Sequence, residues 1–179
     1  MFYISLTSTI LIIVFGSIIG IWLLLLIVNL IFVSSFSSIF KKHKKAIPVI
    51  LYTKADNLKS IISILDQSGI DVDNRYVALI NDISFEDFVE PGSQQFEKSK
   101  NALTYLKDEL AYIASTHPEL EGDEEYMQAK RNIVDCDTQY RNTVMMYNAD
   151  VLGYNYWIRF LPCRFVFKMF KVKKKTPIS

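Results

Sequence analysis

Histidine and cysteine are scarce: two of each in 179 residues. His43 sits inside a lysine run and His117 stands beside Pro118, so they assemble neither a metal cluster nor a Ser-His-Asp set. They read as solvated basic flank and as a helix-end residue. Cys136 and Cys163 are 27 residues apart and form no CxxC, which excludes a zinc ribbon and a disulfide framework and fits a reducing compartment. The six glycines make no phosphate-cradling loop after a strand. No stretch alternates apolar and polar residues as a strand would, and no internal repeat is present. No cofactor, no metal and no catalytic residue are expected.

Charge is missing from the first forty residues. Within them, Ile10 to Val33 is an uncharged apolar run, and about 20 apolar residues suffice to cross a bilayer as a helix. A cleaved signal peptide would carry a basic flank before a shorter apolar core, so a retained transmembrane helix is expected over 10–33. Lys41, Lys42, Lys44 and Lys45 follow the run, and no Lys or Arg precedes it. Basic residues resist translocation, which places residues 1–9 outside and the remainder in the cytoplasm of a single-pass cell-membrane protein. Gly16 and Gly20 are spaced so that a second helix could approach closely, and Asn29 could bond across such a contact or snorkel toward the interface.

All 19 acidic residues fall between 46 and 163, alongside ten Lys and Arg, so the middle carries −9. The lysines of 41–45 and the group Arg164, Lys168, Lys171, Lys173, Lys174 and Lys175 carry +10 together. An acidic body between basic ends suits an anionic lipid surface, where each Lys or Arg contributes about 1 kcal/mol. The aromatic residues interleaved with the tail lysines also occur in nucleic-acid binders, but the acidic body favours the membrane over nucleic acid.

Helical periodicity organises the middle. Val49, Leu51, Ala55, Leu58, Ile61, Ile62 and Leu65 form one face that ends at Gly69; short helices and loop are expected over 70–92, with a capping pattern at Ser84 and Asp87. Ser93 caps a helix bearing Phe96, Leu103, Leu106, Leu110 and Ile113, which Pro118 ends. Asp123 opens what reads as the longest element, with a stripe at steps of three or four from Tyr126 through Ala129, Ile133, Cys136, Tyr140, Val144, Tyr147, Val151, Tyr154 and Ile158 to Leu161. The acids of Asp123 to Glu125 complement that helix's dipole. The expected fold is mainly α: a single N-terminal transmembrane helix followed by an elongated antiparallel helical bundle. Its segments are 1–9, the span 10–33, a basic linker 34–48, the bundle 49–163 and a basic tail 164–179.

The stripe contains a repeat. Tyr147-Asn148 and Tyr154-Asn155 are seven residues apart, so the tyrosines share one helix face and the asparagines line its edge, free to bridge helices or bond a neighbouring loop. Tyr147, Asn148, Val151, Tyr154, Asn155, Ile158, Leu161 and Pro162 resemble the C-terminal signature of the LemA family, Tyr-Asn-x-x-Val-x-x-Tyr-Asn-x-x-Ile-x-x-Phe-Pro, with Leu161 in the Phe position. The preceding stretch from His117 to Val144 is similar as well. The resemblance implies a protein anchored by one helix, with an antiparallel bundle and no established enzymatic activity. The expected role is a non-enzymatic scaffold or adaptor; the alternative is a regulatory or substrate-presenting subunit of a membrane enzyme such as a protease. Its partners would be the lipid bilayer, a second copy of the chain, or a distinct membrane protein.

Overall fold

The computed structural model describes residues 2–159, 164–169 and 172–178. Five α-helices run in order: α1 (Phe2–Gln67), α2 (Asn74–Asn81), α3 (Gln94–Ser115), α4 (Glu124–Trp157) and α5 (Arg164–Met169), with single 3-10 turns at Phe85–Phe88 and Pro118–Gly122. Among the described residues there is no strand. The chain divides into two compact units, Met1–Phe40 with Ala149–Pro177, and Lys41–Asn148 with Ile178–Ser179.

The second unit is the bundle. Leu51, Ala55, Leu58 and Leu65 on α1, Phe96, Leu103, Leu106 and Leu110 on α3, and Tyr126, Ala129, Ile133 and Cys136 on α4 are all buried, as their spacing requires. Val49 departs from its expected face and is exposed. On α1 and α4 the pairs Lys54–Asp137 and Asn57–Asn132 rise on one helix as they fall on the other, so the two helices are antiparallel. Leu51 and Lys54 share a cavity wall with Lys100 and Thr104, and Leu58 and Ile61 share one with Leu110 and Ala111, so α1 and α3 run in the same sense. Parallel neighbours need a return segment, which α2 and the first 3-10 turn supply.

Element ends follow local chemistry. At the end of α1 the Ile70 N–H reaches the Leu65 carbonyl at 2.9 Å and Gly69 takes φ +74°, a left-handed cap that glycine adopts without strain. The Ser93 hydroxyl accepts from Phe96 N–H at 3.1 Å, and the Asp123 carboxylate accepts from Tyr126 N–H at 2.9 Å. Asp87 reaches back to the Ser84 N–H at 3.0 Å. Residues 70–92 are short helices and loop, as their turn residues predict.

Two boundaries differ from the sequence reading. Residues 2–9 and 34–48, expected as a short segment before the span and as a linker after it, are helical, because α1 runs through both; α1, with 66 residues, is therefore the longest element in place of α4, with 34. Pro48 lies inside it without ending it, although an interior proline loses one backbone hydrogen bond and crowds the carbonyl four residues before it. α4 ends at Trp157, and Leu161, where the stripe was expected to finish, lies outside the described residues. Within α1, the run before Phe40 has a mean hydropathy of 3.1 over its most apolar 18 residues, none of them buried, and is long enough to cross a membrane. Leu106 is fully buried, so Leu106→Ala is expected to cost about 2–5 kcal/mol of bundle stability, read by chemical denaturation.

Candidate functional site

In the first unit the Asn155 side chain holds one residue of the segment after α5 at both of its backbone groups. Its Nδ2 donates to the Lys175 carbonyl at 2.8 Å, and its Oδ1 accepts from the Lys175 N–H at 3.0 Å. Tyr154 Oη makes a longer contact, 3.4 Å, to the Lys173 carbonyl. In the second unit Asn148 repeats the arrangement on Ile178, donating to its carbonyl and accepting from its N–H, both at 2.8 Å. An amide side chain carries one donor edge and one acceptor, which match the N–H and C=O of a single residue. Aspartate has no donor to offer, and glutamine adds a rotatable bond.

The spacing of the repeat now has a physical reading. Seven residues of helix advance about 10.5 Å, and three residues of nearly stretched chain cover about 10 Å. Two asparagines seven apart on one helix therefore match backbone residues three apart in an extended chain, the separation of Lys175 and Ile178. Bonding a neighbouring segment, one of the two uses expected for these asparagines, is the one observed.

Each tyrosine of the repeat is buried, which pushes its phenol up from its ordinary value. In the first unit the Tyr154 ring meets Phe40 edge-on at 5.7 Å, and Trp157 stacks on Phe32 at 4.7 Å. Between them lies Gly153, where an added Cβ would stand 2.9 Å from the Phe36 ring. Phe32, Phe36 and Phe40 recur every four residues on α1 and so form one stripe that faces α4. The sequence reading missed this seam because serines fill the positions between; the four-residue step was the available signal. Gly153→Val is expected to force the Phe36 ring aside and cost about 1–3 kcal/mol, measured as a lower thermal midpoint.

Val151 and Ile158 are buried, whereas Leu161, Pro162 and Lys171 lie outside the described residues. Lys41, Lys42, Lys44 and Lys45 are exposed, as are Arg164, Lys168, Lys173, Lys174 and Lys175. Gly16 and Gly20 have open space around them. Asn29 is only 3% exposed, with no partner for its Oδ1 among the described residues, so it does not reach toward solvent.

The second unit also buries charge. Lys54, 5% exposed, donates to Asp137 at 2.6 Å, and Lys107 donates to the other Asp137 oxygen at 3.2 Å. Burial alone would raise the Asp137 carboxyl, but hydrogen bonds and charge from the two lysines outweigh it and hold the carboxyl below its usual value. Tyr140 is pushed up to about 12 by burial and by the charge of Glu97. His117, just after α3, pairs with Glu119 at 2.9 Å. Among the described residues no group of His, Cys, Asp and Glu could hold a metal ion.

No curated protein and no solved structure matches this chain. The model of one family, described as the LemA family, matches residues 82–178. The match covers more than half of the 179 residues and includes both Tyr-Asn pairs together with the segment they hold, so the protein belongs to the LemA family.

Proposed function

We propose that this protein is a single-pass membrane scaffold or adaptor, its apolar α1 segment spanning the bilayer, its bundle in the cytoplasm and its basic segment held ready for an anionic leaflet. The observation that carries the reading is the asparagine clamp. It grips Lys175 and Ile178 by backbone only, and so leaves Lys173, Lys174 and Lys175 exposed, the Lys175 ammonium lying 5.5 Å over the Phe40 ring. A segment fixed in this way presents its ammonium groups without losing further backbone entropy on contact. The lysines following the apolar run support the same orientation. An all-helical fold in a family not known for enzymes supports a non-enzymatic role.

Reversing Lys173, Lys174 and Lys175 to Glu is expected to weaken contact with anionic vesicles by at least about tenfold, at roughly 1 kcal/mol per charge, while leaving contact with neutral vesicles unchanged. Equal partitioning of variant and parent would sink the membrane-contact part of the proposal. The bundle also exposes Tyr112 at 70% and Val134 at 60%, a feature that favours a protein partner and keeps the regulatory-subunit reading in play. Photo-crosslinking in cells from Tyr112 and from the exposed Gln139 separates the two. Capture of one membrane enzyme assigns the regulatory role, and capture of the chain itself or of several membrane proteins assigns the scaffold.

A further inference from the structure

A cavity of about 440 Å³ opens in the second unit between α1, α3 and α4. Lys54, Lys100, Lys107 and Arg141 line it, and Asp137 is the one acidic side chain in its wall. Hydrogen-bond accounting there leaves an excess of donors. An ammonium group carries three donors and no acceptor. Lys54, almost fully buried, makes one bond among the described residues, to Asp137. Both oxygens of that carboxylate are already engaged, one by Lys54 and one by Lys107.

The Tyr140 hydroxyl, also in the cavity wall, is buried and has no partner among the described residues. The nearby Glu97 does not supply one: its Oε2 pairs with Lys100 at 2.5 Å, its buried Oε1 has no hydrogen-bond partner among the described residues, and it is not part of the lining. Lys107 has a second, more distant acid in the exposed Asp108 at 3.8 Å. Arg141 is exposed at the mouth and makes no ion pair among the described residues. Buried polar groups are rarely left unmet, and a cavity of several hundred Å³ with convergent donors is where a ligand supplies the acceptors.

We propose that this cavity binds a phosphate oxyanion, with Lys54, Tyr140 and Arg141 donating to it. Phosphate offers several strong acceptors to this donor set and compensates the second ammonium group beside Asp137. Leu51 and Val144 in the same wall offer apolar surface to a body attached to the phosphate. The site is separate from the asparagine clamp, so it stands or falls independently of the scaffold reading.

The test is calorimetric titration of the full chain in maltoside micelles, which contain no phosphate, with inorganic pyrophosphate in one arm and a short-chain phosphatidic acid in the other. Saturable one-site binding in either arm is expected, weakened roughly tenfold by Arg141→Gln and severalfold by Tyr140→Phe, as the loss of a charge-assisted and of a neutral hydrogen bond implies. The arm that binds more tightly identifies a free anion or a lipid headgroup as the source. Arg141 is exposed, so its replacement leaves the fold intact, and circular dichroism of both variants checks this. Absence of saturable binding in both arms, or binding indifferent to Arg141→Gln, overturns the proposal.

Discussion

Asp137→Ala is expected to cost the bundle about 3–5 kcal/mol, the largest loss from any single polar substitution in the second unit. The reason lies in what remains. Lys54 is 5% exposed and has no partner other than Asp137 among the described residues, so the variant leaves an ammonium group buried and uncompensated. Lys107, about one-third exposed and also near Asp108, can turn to water and loses less. Replacing both partners, as Lys54→Met with Asp137→Leu, should recover most of the stability, because a buried ion pair exchanged for well-packed apolar groups is often neutral or better. Denaturation midpoints of the single and double variants form the cycle that checks this. Near-additive losses would mean that the pair is not the unit of stability.

The same carboxylate sets the acid limit. Its folded value lies below the unfolded one, so the folded chain binds that proton less tightly. The stabilisation is fully present above the unfolded value, which is about 3.9, and is lost as pH falls through the folded value. Tyr140 acts at the other extreme. With its folded value raised to about 12, the folded chain holds that proton more tightly, and stability is lost as pH rises from about 10 toward 12. Asp137→Asn should remove the first dependence and Tyr140→Phe the second, each seen in the pH profile of the thermal midpoint.

The bundle was legible because burial imposes a period. Leu51, Leu58, Leu103, Leu106 and Ile133 announce their faces, and Ser93, Asp123 and Gly69 announce the ends, since a cap is a local hydrogen-bonding requirement that few residue types meet. Lys54 was less legible: it stands three residues after Leu51 and four before Leu58, on the core side, yet lysine there reads as a break in the face until its acid is known. The extension of α1 through 34–48 was hidden because serines and lysines look like linker composition although none of them breaks a helix. The recipients of the asparagine amides could not be read at all. Every residue except proline offers the same N–H and C=O, so Lys175 and Ile178 carry no side-chain mark of being held.

Asn148→Ala with Asn155→Ala is expected to release residues 173–178, with amide hydrogen exchange at Lys175 and Ile178 as the readout. Each asparagine makes two hydrogen bonds at 2.8–3.0 Å. At about 0.5–1.5 kcal/mol net for each bond, one clamp is worth roughly 1–3 kcal/mol, or about 5- to 150-fold in the exchange rate of the amide it protects. The two losses should not be independent. Lys175 and Ile178 are three residues apart in one chain, so while either clamp is closed the other acts at a high effective concentration. Each single variant should therefore accelerate exchange mainly at its own amide, and the double variant should accelerate both by more than either single change does. Asn155→Asp provides a sharper control: it keeps the acceptor for the Lys175 N–H and loses the donor to the carbonyl, so protection should fall only in part. Exchange unchanged at both amides in the double variant would show that other contacts hold the segment, and would leave the seven-residue spacing of the Tyr-Asn repeat to the buried tyrosines alone.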